Sequence, residues 1–391
     1  MSLFGTFIAH PRRVWLRRAL FQIHLWVGVL FALYLIAISL SGAVLVFRQE
    51  LTRWSLPPAL HAYQPAHVAS PEQVMSRFAQ TEPGGTVSLL QMPSPELPAF
   101  LIQGKSSAGR PGRWWADPGS AELQPAPRTW LDTVLDLHDY LLLPHAWGMQ
   151  VNAVGAAALL LLAFTGILLW WPGLRVWTRG LRVNFRANWR RFNYDLHNAI
   201  GFWTLAIVAW WAFSGVYFGY YRQVTAVVAA ISPLHGMAAP LAAVPHKTGT
   251  TSSTLATKTT LAAVLRSAEG ISPHGRLWSI SDPSLQGAEC YALLDLRAPG
   301  DFSHRDIVRI STSDARVVSV WHYGERRSLG DWILWSMHPL HFGTTWGFPI
   351  KVVWSLFGVS LAVLTATGLL MYWNRFLRQR YHALRTSFRP D

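Results

Sequence analysis

The sequence contains a single cysteine, Cys290, among 391 residues. One cysteine excludes an internal disulfide, a CxxCH haem-attachment motif, a four-cysteine iron–sulfur cluster and a cysteine-based zinc site. Any metal chemistry must therefore use histidine, methionine or carboxylate side chains. The sequence also lacks a Walker A loop, a GxGxxG fingerprint and a GxSxG elbow. No motif therefore indicates a nucleotide, dinucleotide or serine-hydrolase site.

Charged residues are scarce as well. They make up 14% of the chain, against roughly 25% in an ordinary soluble domain. Hydrophobic residues reach 51%, and 21 residues are Trp, which favours the membrane–water interface. The formal net charge of +14 could indicate nucleic-acid binding, but no basic patch is interleaved with base-stacking aromatics in a soluble domain. The composition predicts a protein embedded in a lipid bilayer, with no nucleic-acid partner.

Four apolar runs are long enough to cross a bilayer, which takes about 20 residues. None of them contains an acidic residue. They are Leu20 to Phe47, Val151 to Trp171, Ala199 to Tyr221 and Ile350 to Trp373. The chain is therefore predicted to cross the membrane four times.

Arginines crowd the short segments that flank these runs. The positive-inside rule places such segments, and hence both termini, in the cytoplasm. The basic pI is then largely a signal of topology. The arginines are Arg12, Arg13, Arg17 and Arg18 before the first run, Arg175, Arg179, Arg182, Arg186, Arg190 and Arg191 between the second and third, and Arg375, Arg378, Arg380, Arg385 and Arg389 after the fourth.

The chain also repeats itself. FQIHLWVG, with His24, matches YDLHNAIG, with His197, and each is followed by a Ser-Gly pair near the end of its run. The second and fourth runs close with LAFTGILLWW and LTATGLLMYW. Each half therefore consists of a helix, an external segment and a second helix. Repeats of the same topology are related by an axis along the membrane normal.

Each external segment combines a short helix with several strand patterns, which predicts a small α+β domain. The predicted fold is thus a membrane α-helical protein, with a four-helix transmembrane bundle, two external α+β domains and an internal parallel duplication. The predicted segments are a cytoplasmic N-terminus at 1–19, a first span at 20–47, a first external domain at 48–137, an approach and second span at 138–171, a basic cytoplasmic loop at 172–192, a third span at 193–222, a second external domain at 223–330, an approach and fourth span at 331–373, and a cytoplasmic tail at 374–391.

Histidines carry the functional signal. His24 and His197 occupy equivalent positions at the cytoplasmic ends of two spans, and four more histidines precede the other two spans on the external side. An ionisable residue at membrane depth is a functional candidate by default, and two neutral imidazoles that face each other suit the axial positions of a haem iron. The external candidates are His138 and His145 before the second span, and His338 and His341 before the fourth.

Other interpretations of these histidines stay open. A lone histidine near a helix end is more often an interfacial hydrogen-bonding residue than a ligand, and only the duplication favours haem ligation. His138 with Asp136 and Asp139 could form a zinc site, although the spacing matches no zinc motif. A transporter for a siderophore or its iron is a second hypothesis, which the lack of a polar path through the spans disfavours. A regulatory membrane protein without haem is a third.

The motifs IHLWVG, LHDYLL, TGILLWWPG, LHNAIG, LHFG and TGLLMYW together resemble the PepSY-associated transmembrane family of iron-regulated bacterial inner-membrane proteins. WWADPGSAEL is similar to the strand–turn–strand of a PepSY domain. The resemblance covers essentially the whole chain. Within the family, it points to reductases that act on ferric siderophores of the ferrioxamine type.

The resemblance implies two b-type haems. His24 and His197 would hold one near the cytoplasmic face, and His138 with either His338 or His341 would hold the other near the external face. His341, in LHFG, matches the family pattern, whereas His338 aligns better in the internal repeat. His145 is the least expected ligand.

The implied activity is that of an oxidoreductase. It would pass electrons from a quinol or a cytoplasmic reductase through the inner membrane to a ferric siderophore in the periplasm. Exposed aromatic residues of the external domains would help the siderophore to dock. The candidates are Trp114, Trp115 and Trp321.

Overall fold

A computed structural model describes most of the chain. The described residues are 15–60, 67–95, 97–171, 177–235, 259–271, 275–295, 305–321, 328–343 and 346–378. Six of the predicted cytoplasmic arginines lie outside these ranges. They are Arg12, Arg13, Arg175, Arg380, Arg385 and Arg389.

The chain forms two compact units. The helical unit comprises Met1–Phe47, Asp132–Val227 and Ser336–Asp391. The sheet unit comprises Arg48–Leu131 and Val228–Trp335. Each unit is therefore built from both halves of the sequence repeat.

Helices dominate the helical unit and flank the strands of the sheet unit. In chain order they are α1 Trp15–Leu30, α2 Ala32–Leu45, α3 Arg48–Ser55, α4 Pro71–Thr81, α5 Trp130–Tyr140, α6 Gly148–Trp170, α7 Trp189–Gly219, α8 Tyr221–Ile231, α9 Leu261–Ile271, α10 Leu329–Phe342 and α11 Phe348–Tyr372. Two short 3-10 turns lie at Pro58–Leu60 and Trp177–Leu181. A π-helical turn, Trp373–Leu377, continues α11.

Three helices of the described chain are long and apolar enough to span a membrane: α6, α7, and α11 with its π-helical turn. The pair α1 and α2 counts as a fourth span if it is taken as one element, but it bends by 64° at Phe31. The structure differs here from the predicted single first helix. The bend lets the two halves choose different neighbours, because α1 packs mainly against α6 and α2 mainly against α11. The protein is a multi-pass membrane protein.

The described residues of the sheet unit form eight strands, all in antiparallel pairs. The strands are β1 Thr86–Gln91, β2 Phe100–Lys105, β3 Pro111–Ala116, β4 Leu123–Pro125, β5 Arg276–Ser281, β6 Glu289–Asp295, β7 Arg305–Ser311 and β8 Val317–Trp321. They form one sheet in the order β4-β3-β2-β1-β5-β6-β7-β8.

This single sheet differs from the two external domains that the sequence predicted. Strands β1 to β4 come from the first external segment and β5 to β8 from the second, and β1 pairs with β5 where Leu90 faces Ile280. Two separate four-stranded sheets would each present an additional unpaired edge, which is prone to aberrant pairing. Joining them satisfies both edges and extends one hydrophobic core.

Helices α4 and α9 cover this core through apolar residues spaced a turn apart, including Val74 and Phe78 of α4 and Val264 and Ala268 of α9. Helix α4 begins after Ser70, which forms a capping box with Gln73. Such a cap satisfies two amides that the first helical turn leaves without partners.

Two of the three predicted docking aromatics are buried. Trp114 and Trp321 are 6% and 7% exposed, and the Trp114 ring packs edge-on against Phe78. Trp115, the next residue on β3, is partly buried against a small cluster that contains Leu56. Alternate residues of a strand point to opposite faces of the sheet, so the aromatic run is divided between two packed faces. The prediction of an exposed aromatic docking surface is therefore wrong for Trp114 and Trp321.

Candidate functional site

Helices α1 and α7 bring the two duplicated histidines together. The ring centres of His24 and His197 lie 6.5 Å apart, and the ring planes are perpendicular. The Nδ1 atom of His24 lies 2.9 Å from the Thr165 hydroxyl of α6. The Nδ1 atom of His197 lies 3.0 Å from both the Thr367 hydroxyl and the Leu364 carbonyl oxygen of α11. We call His24 and His197 the first histidine pair.

A second pair forms between the helices that precede α6 and α11. The ring centres of His138 on α5 and His341 on α10 lie 6.3 Å apart, with the planes at 61°. The Nδ1 atom of His138 lies 3.0 Å from the Ser41 hydroxyl and 3.1 Å from the Ile38 carbonyl oxygen. The Nδ1 atom of His341 lies 2.7 Å from the Ser214 hydroxyl. We call His138 and His341 the second histidine pair.

The four hydroxyls favour the same tautomer in all four rings. Each hydroxyl has a single proton to donate, and each lies within hydrogen-bonding distance of a main-chain carbonyl oxygen in its own helix. A hydroxyl that donates to a carbonyl can only accept from a histidine, so each Nδ1 carries a hydrogen and each Nε2 keeps its lone pair. The four contacts are Thr165 to Leu161 at 2.8 Å, Ser41 to Ala37 at 2.7 Å, Ser214 to Trp210 at 2.8 Å and Thr367 to Leu364 at 2.7 Å.

The spacing within each pair fits one metal ion between two imidazoles. With metal–nitrogen bonds of about 2 Å, the centres of two opposed imidazole rings lie about 6 Å apart. The measured distances are 6.5 Å and 6.3 Å. In the described part of the chain, no three His, Cys, Asp or Glu side chains gather into a metal site. Each pair thus offers two imidazole nitrogens, which is the number of donors that an iron porphyrin takes from a protein with two histidine ligands.

A cavity of about 820 Å³ surrounds the first pair and lies entirely within the helical unit. Its volume falls in the range of cofactor sites. Gly28 and Gly201, each four residues after a histidine, line it. A Cβ atom at these glycines would make only ordinary contacts, at 3.8 Å with Leu162 and 3.6 Å with Leu364. The residues present fit a flat macrocycle.

Cationic side chains line one end of this cavity. They belong to Arg17, Arg18 and Arg375. Arg17 also donates to the Leu169 carbonyl oxygen at 2.5 Å, at the end of α6, and the Arg375 guanidinium lies 4.8 Å from the ring centre of Phe21. Guanidinium groups recognise carboxylates, so this end suits the propionates of a porphyrin.

The remaining two predicted histidines belong to neither pair, although His338 shares the Phe218 ring with His341. His338 packs its ring against Phe218, with centres 5.1 Å apart. The side chain of His145 is 65% exposed, with its Nε2 atom 3.7 Å from a carboxylate oxygen of Asp136. His341, rather than His338, is therefore the histidine that the structure brings to His138.

The hydroxyl partners are the residues that sequence reasoning missed. In the sequence, the Ser-Gly and Thr-Gly pairs served only to identify the internal repeat. The signal was nevertheless available, because Ser41 follows His24 and Ser214 follows His197 by the same interval. Each half bonds its own two histidines, since the first helix supplies the serine and the second supplies the threonine.

Comparison with known proteins gives one result that covers nearly all of the chain. The family model described as the PepSY-associated TM region matches residues 21–375, which include both histidine pairs and all four hydroxyl partners. No curated protein matches the chain. The protein therefore belongs to the PepSY-associated transmembrane family.

Proposed function

We propose that this protein is a di-haem b electron conduit of the bacterial inner membrane that reduces ferric siderophores of the ferrioxamine type in the periplasm. One observation carries the proposal. Two histidine pairs, each drawn from different helices, have a ring spacing that fits one metal ion between two imidazoles, and every Nδ1 lies within hydrogen-bonding distance of a hydroxyl.

Bound haem would supply one-electron transfer along the bundle. His24 and His197 would hold one haem and His138 and His341 the other, and the hydroxyls would orient the rings and increase the basicity of Nε2. The glycines of the cavity would admit the macrocycle, and the arginines at its end would neutralise its carboxylates.

The substrate chemistry requires only an electron. Hydroxamate oxygens bind hard Fe(III) strongly, and a single electron converts the metal to the softer Fe(II), which weakens the complex and releases iron. The electron would come from a quinol or a cytoplasmic reductase. No bond to the protein forms or breaks.

The orientation follows from charge. The described arginines Arg17, Arg18 and Arg375 line the cavity of the first pair, and the positive-inside rule assigns this end to the cytoplasm. The first pair would then lie toward the cytoplasmic side, and the second pair toward the periplasmic side. Both termini would be cytoplasmic.

Haem content tests the ligand assignment directly. The purified full chain should show a reducible Soret band and two haems per chain. His24→Ala and His197→Ala should each lose the same single haem and keep the other. His145→Ala is the matched control and should keep both. A colourless wild-type protein, or histidine variants with full haem content, would refute the proposal.

A second experiment tests the substrate. Dithionite-reduced protein, freed of excess reductant, is mixed with ferrioxamine, and haem oxidation is followed in the Soret region. The gallium complex of the same siderophore is the control, because Ga(III) has the same ligands but does not accept an electron under these conditions. We expect the iron complex, but not the gallium complex, to oxidise the haem. Equal responses to both complexes, or none to either, would contradict reductase activity.

A further inference from the structure

Helix α5 ends abruptly two residues after His138. Leu141 and Leu142, which follow the helix, both adopt left-handed backbone conformations, with φ of 56° and 58°. This conformation is unfavourable for a residue other than glycine. Two in succession persist only where the surroundings determine the backbone strongly. The chain thus holds the end of α5 in one defined position.

The last carbonyl groups of a helix have no partner within it. Amides just beyond α5 bond three of the carbonyl oxygens near its end, at distances from 2.9 to 3.1 Å. These three carbonyls belong to Asp136, Leu137 and Tyr140. The carbonyl oxygens of His138 and Asp139 instead accept from the side-chain amide of Asn152 on α6, at 2.6 and 3.3 Å. A side chain from another helix therefore completes the end of α5 at the histidine itself.

Tyr34 fixes which end of the Asn152 amide faces α5. Its hydroxyl donates to Asn152 Oδ1 at 2.8 Å and lies 3.0 Å from the main-chain oxygen of the same residue. The oxygen end of the amide is thus occupied, and the two N–H donors are directed to the helix. Tyr34 is itself held against Gly155, where any side chain would clash with its ring.

The second half of the chain has a donor at the equivalent position. Asn152 and Trp354 each precede the threonine of their span by the same interval. The indole N–H of Trp354 donates at 2.9 Å to the carbonyl oxygen of Leu340, the residue before His341. Each half therefore ties the carbonyl end of its histidine-bearing helix to the span that follows.

We infer that Asn152 is a positioning residue for His138, oriented by Tyr34, and that Trp354 has the same role for His341. The side chains of Asn152 and Trp354 set the depth and rotation of α5 and α10, which carry His138 and His341. The inference rests on the proposed function, because it assigns both side chains to the haem of the second pair.

Asn152→Leu tests the assignment, because leucine has a similar volume and no donor. Gln150→Leu is the matched control, since Gln150 is an exposed amide on the same helix end. Haem loss from the full-length protein to excess apomyoglobin is measured together with the low-spin electron paramagnetic resonance signals. Loss of a residue that supports a metal ligand typically weakens binding about 10- to 100-fold. The second-pair haem of Asn152→Leu should therefore leave about tenfold faster or more and show a shifted signal.

The haem of the first pair is the internal control for folding. It should keep its loss rate and its signal in Asn152→Leu, and Gln150→Leu should match the wild type at both sites. Tyr34→Phe, which keeps the Asn152 donor but frees its orientation, should give a smaller shift of the same signal. An unchanged second-pair haem in Asn152→Leu, or equal changes at both haems, would overturn the inference.

The two proposals fail in different ways. A wild-type protein that binds no haem would remove the proposed function, whatever the variants do. A wild-type protein with two haems and an Asn152→Leu variant identical to it would remove only the positioning role.

Discussion

The second histidine pair allows a comparison between two serines that differ in one respect. Among the described residues, the structure gives the Nδ1 of His341 one acceptor, the Ser214 hydroxyl at 2.7 Å. The Nδ1 of His138 has two, the Ser41 hydroxyl at 3.0 Å and the Ile38 carbonyl oxygen at 3.1 Å. Ser214→Ala should therefore leave a buried N–H without a partner, whereas Ser41→Ala should not.

The size of the difference follows from the cost of an unsatisfied buried donor, about 1–3 kcal/mol. Because each 1.4 kcal/mol corresponds to about a tenfold change in an equilibrium constant, Ser214→Ala should weaken the proposed haem site of the second pair by roughly 5- to 150-fold. For Ser41→Ala, the remaining carbonyl keeps Nδ1 satisfied, and the expected loss lies at or below the low end of that range. Ser214 is fully buried, so alanine changes little else.

The assay is haem transfer from the purified protein to apomyoglobin, followed separately for the two haems by their reduction potentials and low-spin signals. Ser214→Ala should release the second-pair haem faster than Ser41→Ala does, with the first pair unaffected in both. Equal release from the two variants would refute the argument that the Ile38 carbonyl substitutes for a hydroxyl. Release of the first-pair haem would show that the serines act on the whole bundle.

Two further predictions concern packing. Gly155→Ala should lower the free energy of unfolding by about 1–3 kcal/mol, as over-packing typically does, because its Cβ would clash with the Tyr34 ring. Gly270→Ala, whose Cβ would meet nothing within 4 Å, should be tolerated, and equal melting temperatures would contradict this. Burial raises the pKa of the Cys290 thiol to about 12, so a maleimide at neutral pH should label Cys290 only after denaturation, and rapid labelling of the native protein would contradict the buried sheet core.

The repeat made the first histidine pair predictable. His24 and His197 occupy matching positions in matching helices, and helices of equal topology bring such positions to the same depth. The apolar runs likewise indicated three of the spans. In both cases the information is local, since a motif or a stretch of about 20 residues carries it.

The choice between His338 and His341 could not be made in this way. Alignment of the repeat favoured His338, but α5 and α10 end differently. Helix α5 stops at Tyr140 through two left-handed leucines, whereas α10 runs past Pro339 to Phe342. The direction of a ring therefore depends on how its helix terminates, which tertiary contacts determine.

The sequence did not predict that the strands of both external segments form a single sheet. Strand patterns predict that a strand exists and which face is apolar, but not which edge it pairs with. The pairing of β1 with β5 joins segments on either side of two spans. The bend at Phe31 could not be predicted from the sequence either, because it depends on the packing of α1 on α6 and of α2 on α11.

The pairing of β1 with β5 also has a consequence for biosynthesis. Leu90 meets Ile280 in the finished sheet, a separation of about 190 residues that takes a ribosome roughly 10 to 40 seconds to translate. During this interval the hydrogen-bonding edge of β1 is available to any extended segment nearby. We expect the nascent first half to need a chaperone or rapid membrane insertion of the second, and a chain truncated after α7 to aggregate through that strand.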